Sequence, residues 1–402
     1  MKNALLFACL LSLSAFAGEP KSPDEFDEWA SQPKEKFEGG EKTFDAARKE
    51  LLEKYLKDDL TEDDLYRAAL AGMLARIDPS MRAYNKLLTP TEFAELNADL
   101  KGETIGVGLQ LKFDPATGRA EVLGIVRGSP AEKADLREGD VVLSVDGGSF
   151  KGKQLRDVVY AIRGKAGSKV TLGVLRDAAV LSKTLERQKL NVEAVTSEAL
   201  PNNLALIAIH TFNETTPQGA RDALAKAAKA GARGLIVDLR DDEGGLLEKA
   251  LETAKLFLPK GKVVTRVLHR GNKEESITVE GDPVFGPVPT VVLINAHTRS
   301  SAELLAAALR DGLRAPLVGA KTAGKWSVQS LKELPNRYVM KYTVALFRAP
   351  DGRSFEGEGL APDIEVTLDE QVCARAARMK SLDDRMALDT QLRAAANFLR
   401  LR

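Results

Sequence analysis

The segment that most constrains this chain is Val291-Val292-Leu293-Ile294, a short β-branched run that hands over to a helical pattern within a few residues. Four apolar residues in a row read as a buried strand. A polar turn follows from Asn295 to Arg299, then Ser300 and Ser301. From Ala302 onward Leu304, Leu305, Ala308 and Leu309 fall on one helical face. A strand feeding a helix through so tight a turn implies an α/β layer. It also sets the two serines at a helix N-terminus, where N–H groups lack intrahelical partners and the dipole favours developing negative charge. Nucleophilic serines and their oxyanion donors are often built in this way.

Leu317-Val318-Gly319 reads as a further short strand, left through a glycine-bearing turn at Thr322-Ala323-Gly324-Lys325. The chain has only three histidines, His210, His269 and His297, and none sits in a recognisable triad setting. Lys325 is the candidate base instead. A lysine serves as a base near neutral pH only when burial penalises its charged form. Ser-Lys pairs are an established variant of nucleophile plus base. Taken singly, such a serine and lysine read first as a helix cap and a solvated surface charge, and only the wider pattern overturns that.

The longer pattern resembles the carboxyl-terminal processing peptidases, or tail-specific proteases, which are Ser-Lys endopeptidases with a PDZ domain. The residues that carry it are Asn295, Thr298 to Glu303, and Gly319 through Thr322, Gly324, Lys325 and Val328 to Gln329. The resemblance assigns the nucleophile to Ser300, the base to Lys325 and base orientation to Gln329. It adds Asp311, in an expected Arg310-Asp311-Gly312 turn, which some members count with the catalytic group. Ser301 stands at an alanine position of the family pattern and Ala302 at a serine position, so a second hydroxyl lies beside the first.

A length of 402 residues suggests two to three domains. Lys+Arg and Asp+Glu both number 58, which gives no pointer to nucleic acid or an anionic membrane. Met1-Lys2-Asn3, the apolar run Ala4 to Phe16 and Ala15-Phe16-Ala17 fit a cleaved signal peptide over residues 1–17. That run is too short to span a membrane. A lipoprotein site at Cys9 is the weaker alternative. After cleavage only Cys373 remains, so no intramolecular disulfide is expected. The expected location is the bacterial periplasm.

Residues 18–100 read as a charged, proline-bearing lead-in followed by helices. Their apolar stripes are Phe44, Leu51, Leu52, Tyr55 and Leu56, then Leu65, Ala68, Ala69, Met73 and Leu74. Within them Asp78-Pro79-Ser80 and Thr89-Pro90-Thr91-Glu92-Phe93 resemble the family's helical lead-in, and packing is the preferred role. Residues 101–190 change texture to short β-runs between glycine turns. Ile105-Gly106-Val107-Gly108-Leu109, Gly128-Ser129-Pro130-Ala131, Leu136 to Asp140 and Val145-Asp146-Gly147 resemble a PDZ domain. Such a domain captures a peptide C-terminus as an added strand, with backbone N–H groups on the carboxylate. By resemblance Ile105, Gly106, Val107, Gly108 and Leu109 form the loop and strand for the tail. Val158 and Val159 are the candidates for the side-chain pocket.

Residues 191–369 return to α/β texture, and the resemblance makes them a core of the crotonase or ClpP kind. Gly234 to Arg240 reads as a strand ending in Asp241-Asp242-Glu243-Gly244-Gly245. In the family the corresponding loop donates backbone N–H to the oxyanion, which assigns Gly244 or Gly245 together with Ser301. Asp242-Glu243 replaces the usual Asn-Pro or Asn-Ser and puts acid beside a site meant for negative charge. Val339 to Phe347 alternates like an edge strand, and Gly352 to Ile364 resembles the family's closing motif. Residues 370–402 read as amphipathic helix, docked on the core or pairing subunits.

The expected whole is a mixed α/β (α+β) protein: helical N-terminal region, inserted PDZ domain and peptidase core. The resemblance implies an exported serine endopeptidase acting on unfolded or tail-exposed proteins. No cofactor or metal is expected, because no cluster of His, Cys and acids is visible. No nucleic acid and no membrane span are expected; a homo-oligomer or an adaptor protein remains open. A catalytically inactive PDZ adaptor is the alternative, and a crotonase-like acyl-CoA enzyme a third reading disfavoured by export.

Overall fold

The computed structural model describes residues 38–401, apart from 82, 83, 115, 127, 152, 154, 192, 287, 369–371, 373–375, 377, 378 and 380. The expected signal peptide, Cys9 and Cys373 lie outside the described residues. Contacts among the described residues define a smaller unit, 38–90 with 329–343, and a larger one, 91–328 with 344–401.

The smaller unit begins with α1 (Gly40–Lys54) and α2 (Glu62–Arg76), followed by β1 (Lys86–Leu88). Thr61 caps α2: its hydroxyl accepts from Asp64 N–H, and the Asp64 carboxylate accepts from Thr61 N–H. Apart from Tyr55 and Leu56, which lie beyond α1, the expected apolar stripes are helical but mostly open. No residue of α1 is buried, and in α2 only Leu74 is. β1 pairs antiparallel with residues 339–341.

In the larger unit α3 (Pro90–Leu100) leads into β2 (Glu103–Gly106). A β-domain follows, built from β3 (Leu109–Asp114), β4 (Arg119–Ile125), α4 (Pro130–Lys133), β5 (Val141–Val145) and β6 (Gly148–Ser149), then α5 (Leu155–Ile162), β7 (Lys169–Arg176) and β8 (Ala179–Glu186). Its strands run β3-β4-β5-β7-β8, so β3 is an outer strand of that sheet. Val122, Val142, Val158, Leu172 and Val174 are fully buried inside it. β9 (Gln188–Asn191) pairs with β2, closing the domain at its base.

The core sheet comes next: β10 (Val195–Leu200), β11 (Leu204–Ile209), α6 (Thr216–Lys229), β12 (Gly234–Asp238), α7 (Leu247–Phe257), β13 (Val263–His269), β14 (Lys273–Thr278), β15 (Thr290–Ile294), α8 (Ser301–Leu313) and β16 (Leu317–Gly319). The last elements are β17 (Ser327–Glu333), β18 (Val339–Arg348), β19 (Ile364–Glu365), α9 (Leu382–Leu388) and α10 (Thr390–Arg400). Six strands run β10-β11-β12-β15-β16-β19, with β11 to β19 mutually parallel. Parallel strands are buried on both faces, which fits β11 and β15, buried at every position and apolar except for Thr290. Helices α6, α7 and α8 cover one face. On the other, Leu392, Ala395, Ala396 and Leu399 of α10 pack against Leu206, Ile236, Val291 and Leu293. The C-terminal helix is therefore docked on the core.

Two sequence expectations are corrected. β18 is not an edge strand: it pairs with β1 through residues 339–341 and with β13 through residues 345–348. Alternating burial arises equally in an inner antiparallel strand with one covered face. Arg310-Asp311-Gly312 is not a turn but the last part of α8. Gly312 serves packing there, since a Cβ would come within 2.5 Å of Leu258 Cδ2.

Leu392 is 1% exposed beneath the sheet. Leu392→Ala is expected to cost about 2–4 kcal/mol, read as a lower urea midpoint with an unchanged slope; an unmoved midpoint would show that α10 adds nothing to the core.

Candidate active site

Three adjacent parallel strands, β12, β15 and β16, end side by side, and each releases a loop at its carboxyl end. That edge is where α/β sheets place ligands. The loops carry Asp241 to Gly245, Asn295 to Ser300, and Ala320 to Trp326. They are stitched together: Asn295 Oδ1 accepts from Asp241 N–H at 3.0 Å, and Asn295 Nδ2 donates to Asp241 Oδ1 at 2.8 Å. Thr298 Oγ1 donates to Leu239 O at 2.8 Å, and Arg299 N–H to Asp242 O at 2.9 Å.

Ser300 occupies the turn between β15 and α8 at φ 56° and ψ −119°. A non-glycine residue at such φ carries about 1–3 kcal/mol of strain, which persists only where the surroundings enforce it. Here they do. Gly244 lies so close that a Cβ on it would stand 2.9 Å from Arg299 O, Ser300 Cβ and Ser301 N, and its own φ is +94°. Ser300 is buried, as is Lys325, and Lys325 Nζ lies 3.4 Å from Ser300 Oγ. The neighbouring Ser301 hydroxyl is turned elsewhere and donates to Gly245 O at 3.1 Å. As the first residue of α8, Ser301 offers its N–H at the helix N-terminus.

Glu303 joins the two functional loops. Its carboxylate accepts from Ser300 N–H at 2.9 Å and Lys325 N–H at 2.8 Å through Oε2. Through Oε1 it accepts from Gly324 N–H at 2.8 Å and Thr322 Oγ1 at 2.5 Å. Burial pushes this carboxyl above its usual range, while the Thr322 hydroxyl and the three backbone donors pull it down. Its place three residues after Ser300 was visible in the sequence, but the contact to a loop more than twenty residues away was not. The closing motif supports the same loop: Gly357 N–H donates to Gly324 O and Thr322 N–H to Leu360 O.

The remaining expected residues scatter. Gly244 N–H is engaged by Asp242 Oδ1 at 2.8 Å, which leaves Gly245 as the glycine whose N–H faces no such side-chain acceptor. Asp311 sits ten residues along α8, about 15 Å from its start, and pairs with Arg310 at 2.8 Å. Gln329 belongs to the smaller unit, with Nε2 3.4 Å from Thr343 Oγ1. In the β-domain a groove is lined by residues 104–109, Leu111, Val126, Val159, Ile162, Arg163 and Leu190. All five expected loop residues and Val159 line it, whereas Val158 is turned into the domain core. Arg163, which sequence reasoning missed, also bonds to Asp99 of α3 at 2.8 Å. Among the described residues no group of three His, Cys, Asp or Glu is placed to hold a metal ion. None of their helices is long and apolar enough to cross a membrane.

Residues 203–366 match peptidase family S41, and residues 121–176 match the PDZ domain. The chain belongs to peptidase family S41, among the carboxy-terminal processing proteases that carry a PDZ domain. It is 33% identical over 341 residues to carboxy-terminal processing protease CtpA of Bacillus subtilis, covering 84% of this chain and 71% of that one. A CtpA-like serine protease of Staphylococcus aureus is also 33% identical, with 78% of this chain and 62% of the relative covered. Among solved structures, photosystem II D1 C-terminal processing protease is similar at TM-score 0.54 and 27% identity, covering 84% of this chain and 93% of the other.

Two substitutions test the frame. Glu303→Gln turns one of the two acceptor oxygens into an NH2 donor, leaving two of the four donors unmatched, and is expected to slow peptide hydrolysis about 10²-fold by misplacing the loops, with the circular dichroism spectrum retained. Gly244→Ala is expected to abolish hydrolysis through the clash with Ser300; wild-type rates in either variant would dissociate these contacts from activity.

Proposed function

We propose that this chain is an exported serine endopeptidase that recognises substrate C-terminal tails through its PDZ domain and cuts peptide bonds with Ser300 and Lys325. The observation that carries the reading is the 3.4 Å approach of Lys325 Nζ to Ser300 Oγ at the mouth of a helix N-terminus. The chemistry requires an unprotonated amine. Lys325 takes the Ser300 proton as Oγ attacks the peptide carbonyl, and then passes a proton to the leaving amine. Backbone N–H groups of Gly245 and Ser301 receive the oxyanion, with the dipole of α8 behind them. Water then hydrolyses the acyl-enzyme with the same lysine as base. The part assigned to Gln329 rests on the family resemblance, as does export, which is supported by the basic start and the Ala15-Phe16-Ala17 pattern.

The PDZ groove fits an extended tail. β3 is an outer strand able to pair with one more. The loop of Ile105 to Leu109 turns its backbone toward the tail's carboxylate, and Val159 and Ile162 supply apolar contact. Substrates are therefore unfolded or tail-exposed proteins.

Ser300→Ala and Lys325→Ala in the mature chain are each expected to reduce cleavage of an unfolded protein by about 10⁴-fold or more. Cleavage surviving Ser300→Ala but lost in Ser301→Ala would move the nucleophile by one residue. No cleavage by the wild type, with retained binding of C-terminal peptides, would leave a tail-binding adaptor.

A further inference from the structure

Asp242 stands where the family pattern has an amide, in the loop that faces Ser300. Its side chain is entirely buried. One carboxyl oxygen accepts from Gly244 N–H at 2.8 Å, and its main-chain oxygen accepts from Arg299 N–H at 2.9 Å. The other carboxyl oxygen, Oδ2, is buried with no hydrogen-bond partner among the described residues. An ionised carboxylate with a bare buried oxygen is far more costly than a neutral carboxylic acid in the same place.

The surrounding charges do not offset that cost. On its own loop lie Asp241, held by Asn295, and Glu243, whose like charge acts on Asp242. From the facing turn come His297 and Arg299. Beyond them Glu303 is occupied by its four donors, and Lys325 Nζ is directed at Ser300.

We propose that Asp242 is a positioning residue that works as the neutral acid, holding Gly244 N–H as an amide would, and that its ionisation switches the oxyanion loop off. Burial pushes its carboxyl well above the usual carboxylate range, and Glu243 adds to the rise. In the neutral form, Oδ1 fixes the loop without adding charge. In the ionised form, a negative charge two residues before the glycine pair opposes the oxyanion, in a buried site where screening is weak. The proton exchanges with solvent, and no bond to substrate is made or broken by this residue.

The inference rests on the proteolytic reading, so its test has an arm independent of hydrolysis. A group whose folded pKa lies above its unfolded value makes the protein lose stability as pH rises between the two. Asp242→Asn abolishes that loss. The Tm of Asp242→Asn minus that of wild type is therefore expected to grow as pH rises from 5 toward 9, and a gap that stays constant overturns the proposal. In the second arm, kcat/KM for a tail-bearing peptide is followed across pH. The ratio of Asp242→Asn to wild type is expected to climb on the alkaline side, toward tenfold per pH unit; superimposable profiles overturn the proposal. Asp242→Ala, which leaves Gly244 N–H without its acceptor, is expected to fall below Asp242→Asn at every pH by a constant factor. A growing Tm gap in a chain that hydrolyses nothing supports the neutral acid and removes the protease reading instead.

Discussion

The carboxylate of Glu303 is the contact on which the site depends. It sits in the first turn of α8, yet two of its four donors are backbone N–H groups of the loop that carries Lys325, and a third is that of Ser300. Backbone donors have no rotamers to lose, so each bond fixes a main-chain position rather than a side-chain pose. A carboxylate accepting several N–H groups is also among the stronger neutral-pH hydrogen-bonding arrangements. The serine and the lysine are thereby referred to one rigid group, on a helix whose face is buried from Ser301 to Leu309.

That arrangement is available because the sheet is parallel at its centre. Neighbouring parallel strands must all discharge their loops at the same edge, so β12, β15 and β16 deliver the glycine loop, Ser300 and Lys325 together. The helices on one face and α10 on the other cover the sheet on both sides. Strain at Ser300 and close approach at Gly244 are then two sides of one constraint. The turn is forced outward by the strand–helix junction, and only a residue without Cβ leaves it room.

Much of this was legible in the chain. The change from a continuous apolar run ending at Ile294 to a helical period from Ala302 marked the junction, and apolar runs of parallel-strand type marked the sheet. The PDZ loop was legible because a carboxylate-binding backbone calls for glycine at fixed places. What failed was of another kind. Val158 and Val159 are equally apolar neighbours on α5, and only the rotation of that helix sends one to the groove and the other into the domain core. Asp311 looked like a turn residue beside Gly312, but that glycine answers to Leu258, just past the end of α7. Glu303 caps α8 by accepting from Ser300 N–H, and it has a second duty that no local pattern announces.

Local chemistry in the chain was enough to establish element type, the identity of nucleophile and base candidates, and the presence of a peptide-binding module, because these depend on residue types at short spacing. The company each residue keeps was settled by the fold: Oδ2 of Asp242 left without a partner, the Ser301 hydroxyl turned to Gly245, and Lys325 brought to Ser300 across twenty-five positions. Burial and long-range proximity are properties of the packed chain, and a charge or a hydroxyl acquires its chemistry from those rather than from its neighbours in sequence.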